Sequence, residues 1–246
     1  MFGAAELVVD VGHSRIKWAR CSADQLVTSS VASCPLEDSG PLLDTIRGQS
    51  ISRLAWSPQS HHAVVNQLRD AFRALGVSCR TVSIGALNLP VAPAYSDLGT
   101  DRWLALQSPW TQSQRAICVV DCGTAVTVDA VDASGCHLGG WIMAGLSTLS
   151  QGLGLTAPRL PAPHSEDPIT TGPATDSALA IGRGLKLQLI GGVRHALLEL
   201  EAALGPDFDC WLTGGDAPLL ANALGRPVRQ DPNLVLRGLA LAGSRS

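Results

Sequence analysis

Two short segments of the chain set a carboxylate beside a glycine at the end of a β-rich run. Asp10-Val-Gly12 follows Leu7-Val-Val, and Asp121-Cys-Gly123 follows Cys118-Val-Val. A strand that ends this way puts an acidic oxygen at a sheet edge, next to a turn where glycine lets backbone amides approach a ligand closely. Phosphates carried with magnesium suit such a place. In the first copy Asp10 can orient the ion through water, Gly12, His13 and Ser14 offer amide and hydroxyl donors, and Lys17 returns along the second strand to meet a phosphate oxygen. Lys17 carries extra weight because Lys186 is the only other lysine in the chain. In the second copy Thr124 takes the matching place. A single Asp-x-Gly is most simply an ordinary hairpin turn. Two copies, one holding a scarce lysine, point to a nucleotide cleft between two halves of the molecule.

Leu98-Gly-Thr-Asp-Arg-Trp103 is a third constellation. Asp101 stands at a helix start, where free amides and the helix dipole favour a carboxylate, and Arg102 beside it can fork onto an anion. Capping alone would account for Asp101. The functional reading makes it the acceptor of a substrate hydroxyl proton, with Arg102 holding a substrate carboxylate. Gly139-Gly-Trp-Ile-Met-Ala-Gly145 and Thr213-Gly-Gly-Asp216 place glycines at strand boundaries, either for turns or for backbone that passes close to a ligand. Other phosphate grips are missing from the sequence, including Gly-x-x-x-x-Gly-Lys-Ser/Thr and Gly-x-Gly-x-x-Gly after a strand, and there is no Gly-x-Ser-x-Gly elbow. P-loop, Rossmann and serine-hydrolase chemistry are disfavoured.

The elements that must position these residues alternate along the chain. Strands are expected at Leu7–Asp10, Ile51–Ser57 and Ser78–Ile84, with a helix over Ser60–Leu75 between the last two. A helix opens at Asp101 and runs to Trp110, followed by a three-stranded meander over 116–121, 124–131 and 137–143. Five prolines between Thr156 and Pro173 demand a loop. Apolar residues at Ala178, Ile181, Leu185, Leu189, Val193, Leu197 and Leu200 then predict a long helix that Gly205-Pro206 stops. A short strand at Cys210–Thr213 and a helix over Asn233–Ala242 complete the pattern. Val8–Ala19 and Val119–Ala130 match at Val, Val, Asp, Gly and Ala, at an offset that divides the chain nearly in half. The domains expected are residues 1–114 and 115–246.

Composition narrows the classes further. The chain has 246 residues, 46% hydrophobic and 16% charged, and a formal net charge of −3, so it is globular and carries no basic excess for nucleic acid or an anionic membrane. It has no run of ~20 apolar residues for a membrane span and no basic, apolar and small-residue leader pattern. A cytoplasmic protein is expected. Seven scattered cysteines without Cys-x-x-Cys spacing read as reduced, mostly buried thiols. His13, His137 and the pair His61-His62 share no ligand spacing and read as solvated or packed imidazoles.

Taken in order, the motifs resemble those of type III pantothenate kinases, the group that includes Bvg accessory factors, within the actin-like and sugar-kinase superfamily. Asp10-Val-Gly-His-Ser-Arg-Ile-Lys17 is similar to the family's Asp-x-Gly-Asn-Thr-x-x-Lys, Gly99-Thr-Asp-Arg102 to its Gly-x-Asp-Arg, and Asp121 to Asp129 to its Asp-x-Gly-Thr-Ala-x-Thr-x-Asp. Gly139 to Gly145 resembles Gly-Gly-x-Ile-x-Pro-Gly, and Thr213-Gly-Gly215 with Leu234 to Gly238 resembles the C-terminal pattern. His13 and Ala144 stand where the family has Asn and Pro, and the stretch from Tyr95 to Gly99 is shorter than usual. The resemblance implies an α/β chain of two actin-like, ribonuclease H-like domains with a nucleotide cleft between them, and phosphorylation of pantothenate by ATP as the first step toward coenzyme A. It further implies that Asp101 is the general base, that Tyr95, Gly99, Thr100, Arg102 and Thr175 contact pantothenate, and that Asp10, Val11, Gly12, His13, Ser14, Arg15, Ile16, Lys17 and Thr124 hold ATP. Asp121 would bind potassium or ammonium, Asp10 would hold magnesium through water, and the enzyme would be a homodimer. The competing readings are a non-catalytic accessory protein that keeps the fold, and a related kinase acting on a sugar or small acid.

Overall fold

The computed structural model describes residues 4–59, 62–85, 87–163 and 172–245. Its first elements are β1 (Leu7–Val11), β2 (Arg15–Ser22), β3 (Gln25–Leu26), β4 (Ala32–Pro35), α1 (Gly40–Gly48), β5 (Arg53–Pro58), α2 (His62–Ala74), β6 (Ser78–Thr81) and α3 (Thr100–Ser113). There follow β7 (Ile117–Cys122), β8 (Ala125–Val131), β9 (His137–Ala144), α4 (Leu146–Thr156), α5 (Ser177–Leu204), β10 (Asp209–Thr213), α6 (Ala217–Ala223), β11 (Arg229–Gln230) and α7 (Leu234–Ser244). They form two compact units. The first takes the chain up to Gln114, returns for Ala133–His137 and closes with the segment from Asn233; the second holds Arg115–Asp132 and Leu138–Pro232. A single cut after residue 114 does not describe these returns.

In the first unit the strands run in the order β3-β2-β1-β5-β6, with β4 paired to β2. Alternation in β1 sends its side chains to both faces of this sheet. Leu7, Val9 and Val11 pack with Ile16, Trp18, Leu54 and Trp56 against Leu42, Ile46, Leu68 and Phe72 of α1 and α2. Val8, with Ala19 and Ala55, faces Leu104 of α3 and Leu236, Leu239 and Ala240 of α7. The two helices on that face nearly touch. A Cβ at Gly238 would overlap the Leu104 carbonyl, so only glycine lets α7 lie that close to α3.

The second unit has the strand order β11-β10-β7-β8-β9. Its core joins Val120, Val126, Val128 and Leu212 to Leu189, Val193, Leu197 and Leu200 of α5 and Leu220 of α6. This is the long helix that the apolar spacing predicts. Of the seven cysteines, Cys136 is exposed and Cys79 half-buried, and the other five are buried, all as free thiols.

The two sheets share a motif. In each, a strand pairs antiparallel with its hairpin partner on one side, β2 or β8, and parallel with a later strand on the other, β5 or β10. The repeat seen in the sequence is therefore structural up to the turn, and beyond it the register changes. Asp10 faces Lys17, whereas Asp121 faces Thr127, because the second hairpin is one residue shorter. A one-residue step exchanges the faces of a strand, so the Ala19/Ala130 match is coincidental and Lys17 corresponds in space to Thr127.

Several elements depart from the sequence reading. α3 continues through Pro109 to Ser113 and ends on Gln114 in the left-handed region. β6 stops at Thr81, and β4, α1, α4 and α6 carry no strong sequence signal. Residues 157–163 form no helix or strand, consistent with their prolines. The rest of the proline-rich segment, 164–171, and the expected helix start at Ser60-His61 lie outside the described residues.

Candidate active site

β1 is central in its sheet, so Asp10 near its end is flanked on both sides. Lys17 of β2 and Ser57 of β5 are its register partners, and Asp10 Oδ1 is buried. The turn beyond it is tied down by its own backbone: Gly12 N donates to Arg15 O at 3.0 Å and Leu36 N to Ser14 O at 3.1 Å. Val11 and Ile16 are fully buried and anchor the turn, while His13, Ser14 and Arg15 are exposed. Arg15 is drawn to one side, its Nη2 donating to Ser33 Oγ at 2.7 Å.

The second turn is gripped from two directions. Asp121 lies between Thr127 of β8 and Thr213 of β10. The Thr124 carbonyl accepts from Gly145 N at 3.0 Å and from Thr148 Oγ1 at 2.7 Å, which seats the start of α4 on the turn. A Cβ at Gly145 would overlap the Gly123 carbonyl, and one at Gly214, where φ is +88°, would strike the Cys122 backbone. Asp216 N donates to Cys122 O at 3.1 Å. Gly145 and Gly214 thus let neighbouring backbone close onto the Asp121 turn. Gly140 does the same along the sheet, where a Cβ would enter the Val128 carbonyl.

A cavity of about 430 Å³ opens beside this turn. Cys122, Gly123 and Gly215 form part of its wall, Leu146 and Leu185 give it an aliphatic lining, and Ser147, Ser150, Lys186 and Asp216 bring polar groups into it. Lys186 is 9% exposed, and burial raises the Asp216 carboxyl from its ordinary value. The spacing that predicts α5 is carried by apolar residues alone and passes over Lys186. The cavity lining is where that residue emerges.

Asp101 sits in the first turn of α3, behind Gly99 at the cap position. Its Oδ1 accepts from Arg102 N at 2.8 Å, and Trp103 N donates to Gly99 O at 3.0 Å. Arg102 Nη1 donates to the Tyr95 hydroxyl at 3.0 Å. The structure therefore gathers Tyr95, Gly99, Asp101 and Arg102, and it shows what sets Tyr95 there. Val91 is held through both backbone groups by α3, its N by Gln107 Oε1 at 3.0 Å and its O by Trp103 Nε1 at 2.8 Å. Four residues on, Tyr95 leans on the buried His137 ring, centroids 6.0 Å apart, and Ala94 N reaches His137 Nδ1 at 3.4 Å. Gln107 and Trp103 have no sequence signal for this role, since buried helix residues look alike. Thr175 is exposed, just before the Asp176 cap of α5.

Comparison with solved structures identifies the architecture. A Baf family protein from Campylobacter jejuni aligns over 95% of this chain and 94% of its own length at a TM-score of 0.64 and 19% identity. The ethanolamine utilization protein EutJ from Carboxydothermus hydrogenoformans aligns over 96% and 89% at 0.54 and 15%. The molecule has the actin-like α/β fold, with two sheets. Sequence comparison places it more narrowly. The family model for type III pantothenate kinase matches residues 6–198. The type III pantothenate kinase of Pseudomonas aeruginosa strain LESB58 is 35% identical over 96% of this chain and 98% of its own length, and that of Pseudomonas syringae pv. syringae is 34% identical over the same shares. The chain belongs to the type III pantothenate kinase family.

Proposed function

We propose that the protein transfers the γ-phosphoryl group of ATP to the terminal hydroxyl of pantothenate, giving 4'-phosphopantothenate, the first step of coenzyme A biosynthesis. The observation that carries this reading beyond family membership is the Asp101–Arg102–Tyr95 arrangement. It puts a carboxylate, a guanidinium and a phenol hydroxyl on one short stretch at a helix start. Asp101 takes the proton of the attacking hydroxyl, and Arg102, with Tyr95, Gly99, Thr100 and Thr175, orients a substrate that carries a carboxylate. Phosphoryl transfer needs positioning and charge neutralisation more than covalent help, and the two turns supply carboxylates, amides and hydroxyls rather than a nucleophile.

ATP is assigned to the turn Asp10–Lys17 and to Thr124. The donors here suit magnesium, which favours one or two carboxylates completed by water and phosphate oxygens. Asp10 is that carboxylate. Asp121, flanked by Thr127 and Thr213, is the place for potassium or ammonium. When bound, these cations neutralise phosphate charge.

A homodimer in the cytoplasm completes the reading. β9 is the edge of its sheet and exposes Leu138, Trp141 and Ile142, α4 has no buried residue, and α5 exposes Leu187 and Leu198. Apolar surface of this kind is characteristic of protein interfaces. Among the described residues no helix is long and apolar enough to cross a membrane. The accessory-protein reading is not favoured, since relatives spanning the chain carry the kinase name.

The test is ADP release by the purified protein with ATP, magnesium and potassium, measured with pantothenate, with simple sugars and with no acceptor. Pantothenate-dependent release is expected. Release that ignores pantothenate, or none at all, would overturn the assignment.

A further inference from the structure

Lys186 is out of place by the logic of its helix. Gly182, Leu185, Leu189, Ile190 and Val193 make up the buried face of α5, and Lys186 shares it at 9% exposure. A charged side chain is seldom kept that deep unless hydrogen-bonded partners hold it. Its surroundings are those of a ligand cavity: an aliphatic lining, two serine hydroxyls, the Asp216 carboxyl, and the Gly123 and Gly215 backbone at the turn assigned to ATP. The cavity volume of about 430 Å³ lies within the range of small-molecule sites, ~300–1,000 Å³.

An ammonium only donates hydrogen bonds and an ionised carboxylate only accepts them. A cavity holding one of each fits a ligand edge with an acceptor beside a donor. The adenine edge, with a ring nitrogen next to the exocyclic amine, has that order. Hypoxanthine reverses it, placing a carbonyl where adenine has its amine and an N–H where adenine has its N1 acceptor. We infer that Lys186 is a specificity-determining residue of the nucleotide site, donating to a ring nitrogen of adenine while Asp216 accepts from the exocyclic amine, so that the enzyme selects ATP over ITP. This inference rests on the assignment of ATP to the Thr124 turn. Polar contacts to a side chain as buried as Lys186 count for more than on a surface, and a site that hydrogen-bonds a ligand rejects analogues that leave its groups unpaired.

The experiment compares ATP and ITP, by calorimetric binding and by pantothenate-dependent turnover, for the wild type, Lys186→Met and Lys186→Arg. Methionine keeps the length and fills the apolar cavity without the donor, and arginine restores a donor. The wild type should prefer ATP by roughly 10²-fold or more. Lys186→Met should bring that ratio to within about 5-fold, chiefly through a raised KM for ATP, with KM for pantothenate unchanged and Lys186→Arg recovering part of the preference. A melting temperature lowered in Lys186→Met with the ATP/ITP ratio intact would make Lys186 structural and overturn the inference. A wild type that binds neither nucleotide would overturn the ATP assignment with it.

Discussion

The Tyr95 hydroxyl accepts a hydrogen bond from Arg102 Nη1 at 3.0 Å, so the guanidinium assigned to the substrate carboxylate is aimed by a phenol seven residues upstream. A hydrogen bond of this type contributes ~0.5–1.5 kcal/mol. Tyr95→Phe keeps the ring against His137 and removes only the acceptor. It should raise KM for pantothenate roughly 2–10-fold, the equivalent of that energy, and leave KM for ATP unchanged. An unaltered pantothenate KM would show that Arg102 needs no such guide.

Asp101→Asn retains a side-chain oxygen that can accept from Arg102 N and so preserves the helix start, but it cannot take up a proton. Turnover should fall by ~10²–10⁴-fold, with nucleotide binding by calorimetry unchanged. Full turnover in a folded Asp101→Asn preparation would remove the residue from the mechanism.

Gly145→Ala forces a methyl group into the Gly123 carbonyl. Since the overlapped atoms are backbone and not the end of a flexible side chain, the strain should destabilise the protein by about 1–3 kcal/mol, read as a fall of several degrees in melting temperature. It should also raise KM for ATP by displacing Thr124. A variant with both values unchanged would mean that α4 yields easily.

Glu6 titrates from a fixed position. Its carboxylate accepts from Ser52 N at 2.8 Å and Ser52 Oγ at 3.0 Å and pairs with Arg53 at 2.8 Å, and these partners, Ser52 N foremost, hold its pKa below the ordinary 4.5. A depressed carboxyl pKa adds stability that is complete above the unfolded value and is lost as pH falls through the folded one. Glu6→Gln should therefore melt lower than the wild type at neutral pH, and the gap should close below pH 4.5. A gap that persists at low pH would trace to packing instead of charge.

Trp141, 41% exposed on the edge strand β9, is the anchor we assign to the dimer. Trp141→Glu should shift the sedimentation profile from dimer toward monomer without unfolding the chain. A dimer that survives this change would move the interface elsewhere.

Much of this architecture is legible in the residues, and the boundary has physical causes. Asp10, Asp121 and Asp101 stand out because a carboxylate beside a glycine turn or a helix start is a local pattern. The Val-Val-Asp repeat correctly marks two hairpins with the same neighbours. It cannot reveal that the second turn is one residue shorter, because an ungapped match hides a change of register. α7 in the first unit is equally hidden, since packing between Gly238 and Leu104 leaves no trace in nearby sequence. The apolar spacing of α5 does not include Lys186, and only the fold brings it to the cavity wall.

The placement of α7 bears on how the molecule is made. Val8, Ala19 and Ala55 are translated before the second unit, yet α7, which helps shield them, follows it. During synthesis one side of the opening sheet must wait with only α3 to cover it, whereas the core of the second unit lies wholly within 115–132 and 138–232 and is complete before α7 emerges. The later-encoded unit can thus mature first, and the exposed leading sheet is where a chaperone would find its grip on the nascent chain.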